Sequence, residues 1–308
     1  MVRCVRVVYT QYPIEPDLQN TMPKRLFISY AHPDDESFGL GGLISKYVSE
    51  GVEVYYLCAT NGDVGTVHPD MLNGYKSVAE LRLSELDKAS ALLGFKQVYK
   101  LGYRDSGMIG SETTRHPDSL WYAHEHKPAE VTRRVVEAIR EVRPHVIITF
   151  NKYGGYGHPD HIAIQRATTE AFAKSADTAY ATGHEAWQAQ KLYYSGVARW
   201  PIRLGIMRSL LKRQNPRKLG RNHDIDIVKI LENVEPVHVK VDIRDWFAAW
   251  DEASSVHQSQ LSGGSFRVMP KRLRPYLTPY QMFTRVYPQP ARSRIDETDL
   301  FEGVKVEA

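Results

Sequence analysis

Short apolar runs alternate with longer amphipathic segments between residues 25 and 175 of the chain. The apolar runs are rich in β-branched and aromatic residues, as strands are, and occupy residues 25–31, 52–59, 97–101 and 145–150. The segments between them place apolar residues at helical spacing and occupy residues 41–50, 77–93, 129–142 and 161–173. This alternation predicts an α/β fold, a Rossmann-like and mostly parallel sheet with helices on both faces.

The pattern changes after residue 190. Residues 192–197 and 237–243 predict two further strands, and residues 245–260 predict an amphipathic helix. The rest of the chain, after residue 260, contains five prolines, and this composition predicts irregular structure.

These features divide the chain into three regions. Residues 1–21 form a tail, or carry an edge strand at residues 5–9. Residues 22–190 form the α/β domain. Residues 191–308 form a cap that packs on the loops of that domain where a ligand is expected to bind.

Composition narrows the class of protein. Of the 308 residues, 42% are hydrophobic and 25% are charged, with a net charge of only +4. These values argue against a disordered chain and against a protein that binds nucleic acid through its charge. The two cysteines, Cys4 and Cys58, are too few for a disulfide framework, and no apolar run approaches the roughly 18 residues of a membrane span. We therefore expect a cytoplasmic protein without a membrane span.

One basic run stands out. Residues 203–221 contain seven arginine and lysine side chains and no acidic residue. We interpret this run as a solvated face, with attraction to an anionic substrate or to a membrane surface as the alternative.

Two loops carry metal-ligand residues. They follow the strands at 25–31 and 145–150, and they read HPDDE at residues 32–36 and GGYGHPDH at residues 154–161. Ligands bind beyond the carboxyl ends of such strands, and catalytic zinc sites use three imidazole or carboxylate ligands and leave one position open. Two ligands from the first loop and one from the second make such a site. The metal ligands that we predict are His32, Asp35 and His161.

The remaining polar residues of the two loops suit amide hydrolysis. This reaction needs a base for water, donors for the negative charge of the tetrahedral intermediate, and a proton for the leaving amine. Asp34 is the natural base, and His158 is a charge stabiliser or acid whose ring Asp160 orients. Tyr156 lies among glycines, and we expect its hydroxyl to donate a hydrogen bond to the oxyanion.

The tripeptide His-Pro-Asp alone is a weak signal, because it begins at residues 32, 68, 116 and 158. The first and last copies follow predicted parallel strands and carry a further ligand residue next in sequence. The copies at residues 68 and 116 fall in loops rich in Gly, Ser and Thr, and we interpret them as ordinary loop structure.

With these motifs the chain resembles the LmbE-like, or PIG-L, family of zinc-dependent N-acetylglucosamine deacetylases, most clearly over residues 25–175. The resemblance implies that residues 22–190 are a metal-binding catalytic domain with the three ligands and the catalytic residues given above. It also implies three residues that contact the sugar: Arg82, Asp105 and His257.

The resemblance leaves the substrate open. Residues 256–260 and 291–301 are similar to mycothiol-pathway deacetylases and amidases, whereas residues 39–51 and 266–270 are similar to archaeal diacetylchitobiose deacetylases. The leading hypothesis is removal of the acetyl group from a small N-acetylglucosamine-containing molecule. The alternatives are an amidase that cleaves a thiol-sugar conjugate and a non-catalytic, metal-dependent sugar-binding protein.

The expected cofactor is Zn²⁺, and the ligand chemistry also admits Fe²⁺. The expected partner is a small amino-sugar or thiol-sugar substrate, with no nucleic acid. A homo-oligomer is an open alternative to a single chain.

Overall fold

A computed structural model describes residues 22–220, 223–261 and 274–306. Its seven strands form one sheet in the order β3-β2-β1-β4-β5-β7-β6. Their bounds are β1 (Arg25–Tyr30), β2 (Glu53–Thr60), β3 (Gln97–Tyr103), β4 (Val146–Thr149), β5 (Lys191–Gly196), β6 (Val239–Asp242) and β7 (Tyr280–Tyr287). The first five in this order are parallel, and β7 runs antiparallel to both of its neighbours. The predicted α/β fold is confirmed.

Eleven α-helices lie within the described residues. They are α1 (Asp35–Ser49), α2 (Val78–Leu93), α3 (Leu120–His126), α4 (Pro128–Val142), α5 (Gly154–Gly157), α6 (Pro159–Ala176), α7 (Arg199–Leu211), α8 (Ile227–Glu232), α9 (Phe247–Val256), α10 (Gln258–Leu261) and α11 (Arg274–Leu277). Short 3-10 turns occupy Pro69–Leu72, Glu112–Arg115 and Arg244–Trp246. None of the helices in the described segments combines the length and the hydropathy needed to span a membrane.

The strand order reverses between β1 and β4. From this central pair the chain proceeds outward to β2 and β3 on one side and to β5 on the other. Every residue of β4 is buried, as its continuous apolar sequence predicts. The loops that leave the carboxyl ends of β1 and β4 therefore flank the crevice in which such sheets bind ligands.

Close packing on α1 brings the C-terminal region towards this crevice. A Cβ atom on Gly41 would lie 2.5 Å from the Trp250 ring, and one on Gly42 would lie 3.0 Å from Ile243. The indole of Trp250 also donates a 2.6 Å hydrogen bond to the Ser37 carbonyl oxygen. The glycines thus let α9 lie directly on α1.

Several sequence-based expectations need correction. The proline-rich end was predicted to be irregular, and this is wrong because β7 lies within it. Pro279 and Pro288 bracket β7 without entering it, so the ladder keeps its N–H donors. Helices α3 and α7 were also not predicted.

The region from residue 191 onward was predicted to be a cap. Its strands β5, β6 and β7 also extend the sheet of the α/β domain. The division at residues 190 and 191 stays a prediction. The predicted tail at residues 1–21 and the similarity at residues 266–270 lie outside the described residues.

Candidate metal and catalytic site

Three predicted ligands meet at the crevice. His32 lies in the bend after β1, Asp35 is the first residue of α1, and His161 lies in the first turn of α6. His32 Nδ1 is 3.1 Å from His161 Nε2, and the Asp35 carboxylate lies 3.5 Å from each of these nitrogens. A tetrahedral ion with bonds of about 2.0–2.1 Å holds its ligand atoms about 3.3 Å apart. The separation of the two histidine nitrogens is close to this value, and each nitrogen faces a different oxygen of Asp35.

Both imidazoles are held by contacts on their far side. His161 Nδ1 lies 3.1 Å from the Gly154 carbonyl oxygen, which leaves Nε2 facing the crevice. The ring of His161 also stacks on Phe150, with centroids 3.9 Å apart. His32 Nε2 lies 3.2 Å from an Asp160 carboxylate oxygen, which leaves Nδ1 for a metal. Such outer contacts fix the ring orientation and the tautomer of metal-binding histidines.

Asp160 was predicted to orient His158, and the structure places its carboxylate closer to His32. The distance from an Asp160 oxygen is 3.2 Å to His32 Nε2 and 3.9 Å to His158 Nδ1. His158 Nδ1 instead accepts a 3.2 Å hydrogen bond from the Asp160 backbone N–H, which caps α6. Ser106 donates both its backbone N–H and its hydroxyl to the Asp160 carboxylate, which is fully buried.

Two overlapping sets of buried side chains bring their ligand atoms within 4.8 Å of one another: His32, His158 and His161; and His32, Asp105, His158 and Asp160. In the second set, the Asp160 carboxylate already accepts hydrogen bonds from Ser106. Asp35 Oδ1 accepts no hydrogen bond from the described residues and faces His161. Neither of the two sets contains Asp35, whose Oδ2 lies 3.5 Å from His32 Nδ1 and whose Oδ1 lies 3.5 Å from His161 Nε2. The choice of Asp35 as the third ligand therefore stays a prediction.

Burial and charge set the protonation of the candidate ligands. Burial lowers the pKa of His161 to about 4, so its ring is neutral and ready to bind a cation. Burial opposes ionisation of Asp35, but His161 and His32 outweigh it and hold the pKa of this carboxyl well below its usual range. Burial likewise opposes the protonated form of His32, yet Asp105 and the other carboxylates raise its pKa well above the ordinary value. A bound metal ion would displace that proton.

Asp34 is held in an unusual backbone conformation next to the ligands. Its φ of 131° lies in a region that non-glycine residues rarely adopt. Its backbone N–H donates a 3.0 Å hydrogen bond to Glu36, and its carboxylate lies 3.1 Å from the Arg82 guanidinium. Burial raises the pKa of Asp34 to about 7, against the opposing effect of Arg82. A carboxyl of this pKa can both accept and return a proton near neutral pH.

Behind Asp34 lies a buried pair that the sequence analysis missed. Glu36 and His257 are both fully buried, and their side chains are 2.7 Å apart. The spacing of Glu36 to Leu40, Leu43 and Tyr47 places it on the buried face of α1. That spacing was the available signal. His257 was predicted to contact the sugar, and the structure places it behind Glu36 in the wall of the site.

The other predicted substrate contacts differ in their exposure. Arg82 is 3% exposed and donates to the carbonyl oxygens of Pro33 and Gly62. Asp105 is 5% exposed and lies 3.6 Å from His32 Nε2. Tyr156 is 36% exposed, and its ring centroid is 5.1 Å from that of His161. Tyr156 is thus the most open of these residues, and contact of Arg82 and Asp105 with a sugar stays a prediction.

Comparison with known proteins places these motifs in a family. The family described as PIG-L: GlcNAc-PI de-N-acetylase matches residues 26–172. Among similar relatives, a 1D-myo-inositol 2-acetamido-2-deoxy-alpha-D-glucopyranoside deacetylase of Thermomonospora curvata is 36% identical over 77% of this chain and 81% of its own length. A protein of the same name from Nocardiopsis dassonvillei is 34% identical over 89% of this chain and 99% of its own length.

A solved structure gives the same fold. The N,N'-diacetylchitobiose deacetylase of Pyrococcus horikoshii superposes with a TM-score of 0.55 and 22% identity, covering 87% of this chain and 86% of that one. A conserved Thermus thermophilus protein, TT1542, superposes equally well at 20% identity, covering 88% of this chain and 97% of its own. At these identities, the likeness supports the fold alone. The relatives described above, at 34% identity or more over at least 77% of this chain, show the family as well as the fold. This chain therefore belongs to the PIG-L family.

Proposed function

We propose that this protein is a zinc-dependent hydrolase that removes the acetyl group from a small N-acetylglucosamine-containing molecule and releases acetate. The observation that carries the proposal is the cluster of His32, Asp35 and His161, with Asp34 next to it. His32 Nδ1 and His161 Nε2 are 3.1 Å apart, and each lies 3.5 Å from a different oxygen of Asp35. A site that only bound a metal would not need a buried carboxyl with a pKa of about 7 beside the ligands.

The ligand set fits a zinc ion in donor chemistry and in spacing. When bound, such an ion supplies a Lewis acid that acidifies water and polarises the acetamide carbonyl. Asp34 takes the proton from the attacking water, because it is the carboxyl beside the ligands whose pKa lies near neutrality. Arg82 holds this carboxylate in place through its 3.1 Å contact.

His158 acts as a donor to the developing oxyanion. Its Nδ1 accepts the Asp160 backbone N–H, so the ring proton resides on Nε2. Burial lowers the pKa of His158 to about 3, which keeps the ring neutral and makes it a poor acid for the leaving amine. The proton for the amine therefore returns from Asp34. Tyr156 lies on the open side of the same ring cluster and adds a second donor through its hydroxyl.

The substrate class follows from the relatives. Those described above are named for an acetylated glucosamine linked to myo-inositol. We infer that this chain acts on a glucosaminide of the same class, with a free amine on the sugar as product.

The proposal is tested by incubating chelator-treated protein, reloaded with Zn²⁺ or Fe²⁺, with four substrates. These are the inositol-linked N-acetylglucosaminide, N-acetylglucosamine, diacetylchitobiose and a thiol-sugar conjugate, with acetate and free amine as readouts. We expect acetate release to be highest on the inositol-linked sugar with Zn²⁺. Amine release from the conjugate without acetate would establish the amidase instead. Sugar binding without any product would establish a binding protein.

A further inference from the structure

Helix α7 presents an apolar stripe to solvent. Four large side chains recur at spacings of four, three and four residues and so share one face: Trp200, Leu204, Met207 and Leu211. Their exposed fractions are 51%, 49%, 53% and 79%, respectively. The opposite face, with the buried Ser209, turns inward, and α7 packs against α8. An exposed apolar row of this length is unusual on a protein surface and indicates an interaction site.

Arginines border the stripe on both sides. At about 100° per residue, Arg203 and Arg208 each lie roughly 70° around the helix from the centre of the stripe. Lys212 and Arg213 follow at the carboxyl end of the helix. Within the described parts of the chain, none of these four cations forms an ion pair, whereas the nearby Arg217 is paired with Asp226 and Glu232. The surface thus joins an apolar centre to an uncompensated cationic rim.

We propose that this surface, formed by the apolar stripe and its four cations, docks onto an anionic membrane surface. An interfacial helix inserts its apolar side chains among the acyl chains, while flanking cations meet the lipid headgroups. The arrangement of Arg203 and Arg208 on either side of Leu204 and Met207 matches both requirements. The tryptophan at the amino end is typical of side chains at such interfaces.

Charge argues against a second copy of the chain as the occupant. Two copies that packed stripe to stripe would bring Arg203 and Arg208 of each against the arginines of the other. No acidic residue lies between residues 199 and 223 to neutralise them, and like charges in an interface oppose association.

The position of α7 relates this surface to the candidate site. The helix follows β5, which is parallel to β1 and β4, so it begins at the same edge of the sheet as the metal-binding loops. Helix α8, against which α7 packs, also packs against α5, which carries Tyr156. Docking through α7 would therefore hold the edge of the sheet that carries the site near the membrane. The docking proposal does not depend on the proposed function.

The test is flotation of the full chain with two kinds of vesicle, one of phosphatidylcholine alone and one of equal parts phosphatidylcholine and phosphatidylglycerol. We expect binding to the anionic vesicles at least about tenfold tighter than to the neutral ones, with loss of binding at high salt. The double variant Arg203→Gln/Arg208→Gln should weaken binding more than about tenfold. The matched control is Arg115→Gln, which removes an exposed arginine elsewhere.

The apolar part is tested separately. Leu204→Glu/Met207→Glu should abolish vesicle binding, whereas Leu92→Glu, at a side chain 50% exposed on α2, should leave it unchanged. Anionic vesicles should shift the tryptophan emission of the unsubstituted chain to the blue, and Trp200→Phe should remove that shift. The emission experiment needs no charged substitution and stands even if the glutamate variants unfold.

Three results would overturn the proposal. Two of them are equal binding to both vesicle types and binding to neither. The other is a dimer of the unsubstituted chain in light scattering that Leu204→Glu/Met207→Glu converts to a monomer, without vesicle binding. That outcome would assign the stripe to an interface between copies.

Discussion

The tripeptide His-Pro-Asp forms the same local hydrogen bond at residues 68–70 and at residues 158–160. His68 Nδ1 accepts the Asp70 backbone N–H at 3.4 Å, and His158 Nδ1 accepts the Asp160 backbone N–H at 3.2 Å. The side chains of His68 and Asp70 are 66% and 90% exposed, whereas Asp160 is fully buried. A shared motif thus makes a shared helix cap, and the tertiary environment decides whether it also makes a site.

The loop that begins at His32 carries a further copy of the tripeptide. It faces the copy at residue 158 because β1 and β4 are adjacent and parallel, and their carboxyl ends meet. The copy at residue 68 lies beyond β2, in a turn that points to solvent. Matched substitutions in the two regions can therefore separate metal chemistry from local capping.

The largest expected effect is the loss of a metal ligand. His32→Ala should reduce turnover to background and lower the metal content, because only two of the three proposed ligands remain. Metal-to-protein ratio and acetate release measure the two effects. His68→Ala is the matched control and should change neither. Full metal content and full activity in His32→Ala would reject the ligand assignment.

The next effect is the loss of the proposed base. Asp34→Asn should lower kcat by about 10²–10⁴-fold while the metal stays bound, because an amide cannot accept the proton of water. Asp70→Asn changes the same position of an exposed copy of the tripeptide and should leave kcat unchanged. A fully active Asp34→Asn enzyme would exclude this residue as the base.

A smaller effect is expected for Asp160, which contacts the candidate ligand His32. Asp160→Asn should weaken metal binding by about 10–100-fold, because His32 loses the carboxylate that orients its ring. Competition with a fluorescent chelator measures the affinity, and Asp118→Asn serves as the control in the copy at residue 116. If Asp160→Asn lowers kcat with unchanged metal affinity, Asp160 acts through His158 rather than through His32.

The smallest effect is a shift in pH dependence. Asp34 must be ionised to act as a base, and Arg82 lowers its pKa against the raising effect of burial. Arg82→Met should therefore move the acidic limb of the kcat profile to higher pH, with activity recovering at alkaline pH. Arg133→Met, at an exposed pair with Glu137, should leave the profile in place. A shift to lower pH would contradict the proposed arrangement.

The sequence by itself determined the order of elements and the candidate ligands. Strand and helix periods are local properties, so β1, β4, α2 and α6 were predictable to within a few residues. The meeting of the candidate ligand loops was predictable because they follow two strands directly, and the carboxyl ends of parallel strands share one edge of the sheet.

Only the tertiary structure decided which of these residues touch. Glu36 and His257 are 221 positions apart in sequence, and no local pattern records that they pair. The closer contact of Asp160 with His32 than with His158, and the place of β7 in the sheet, likewise depend on distant strands packing together. Periodicity reports which way a side chain faces on its own element, whereas contacts between elements are set by how their buried faces fit.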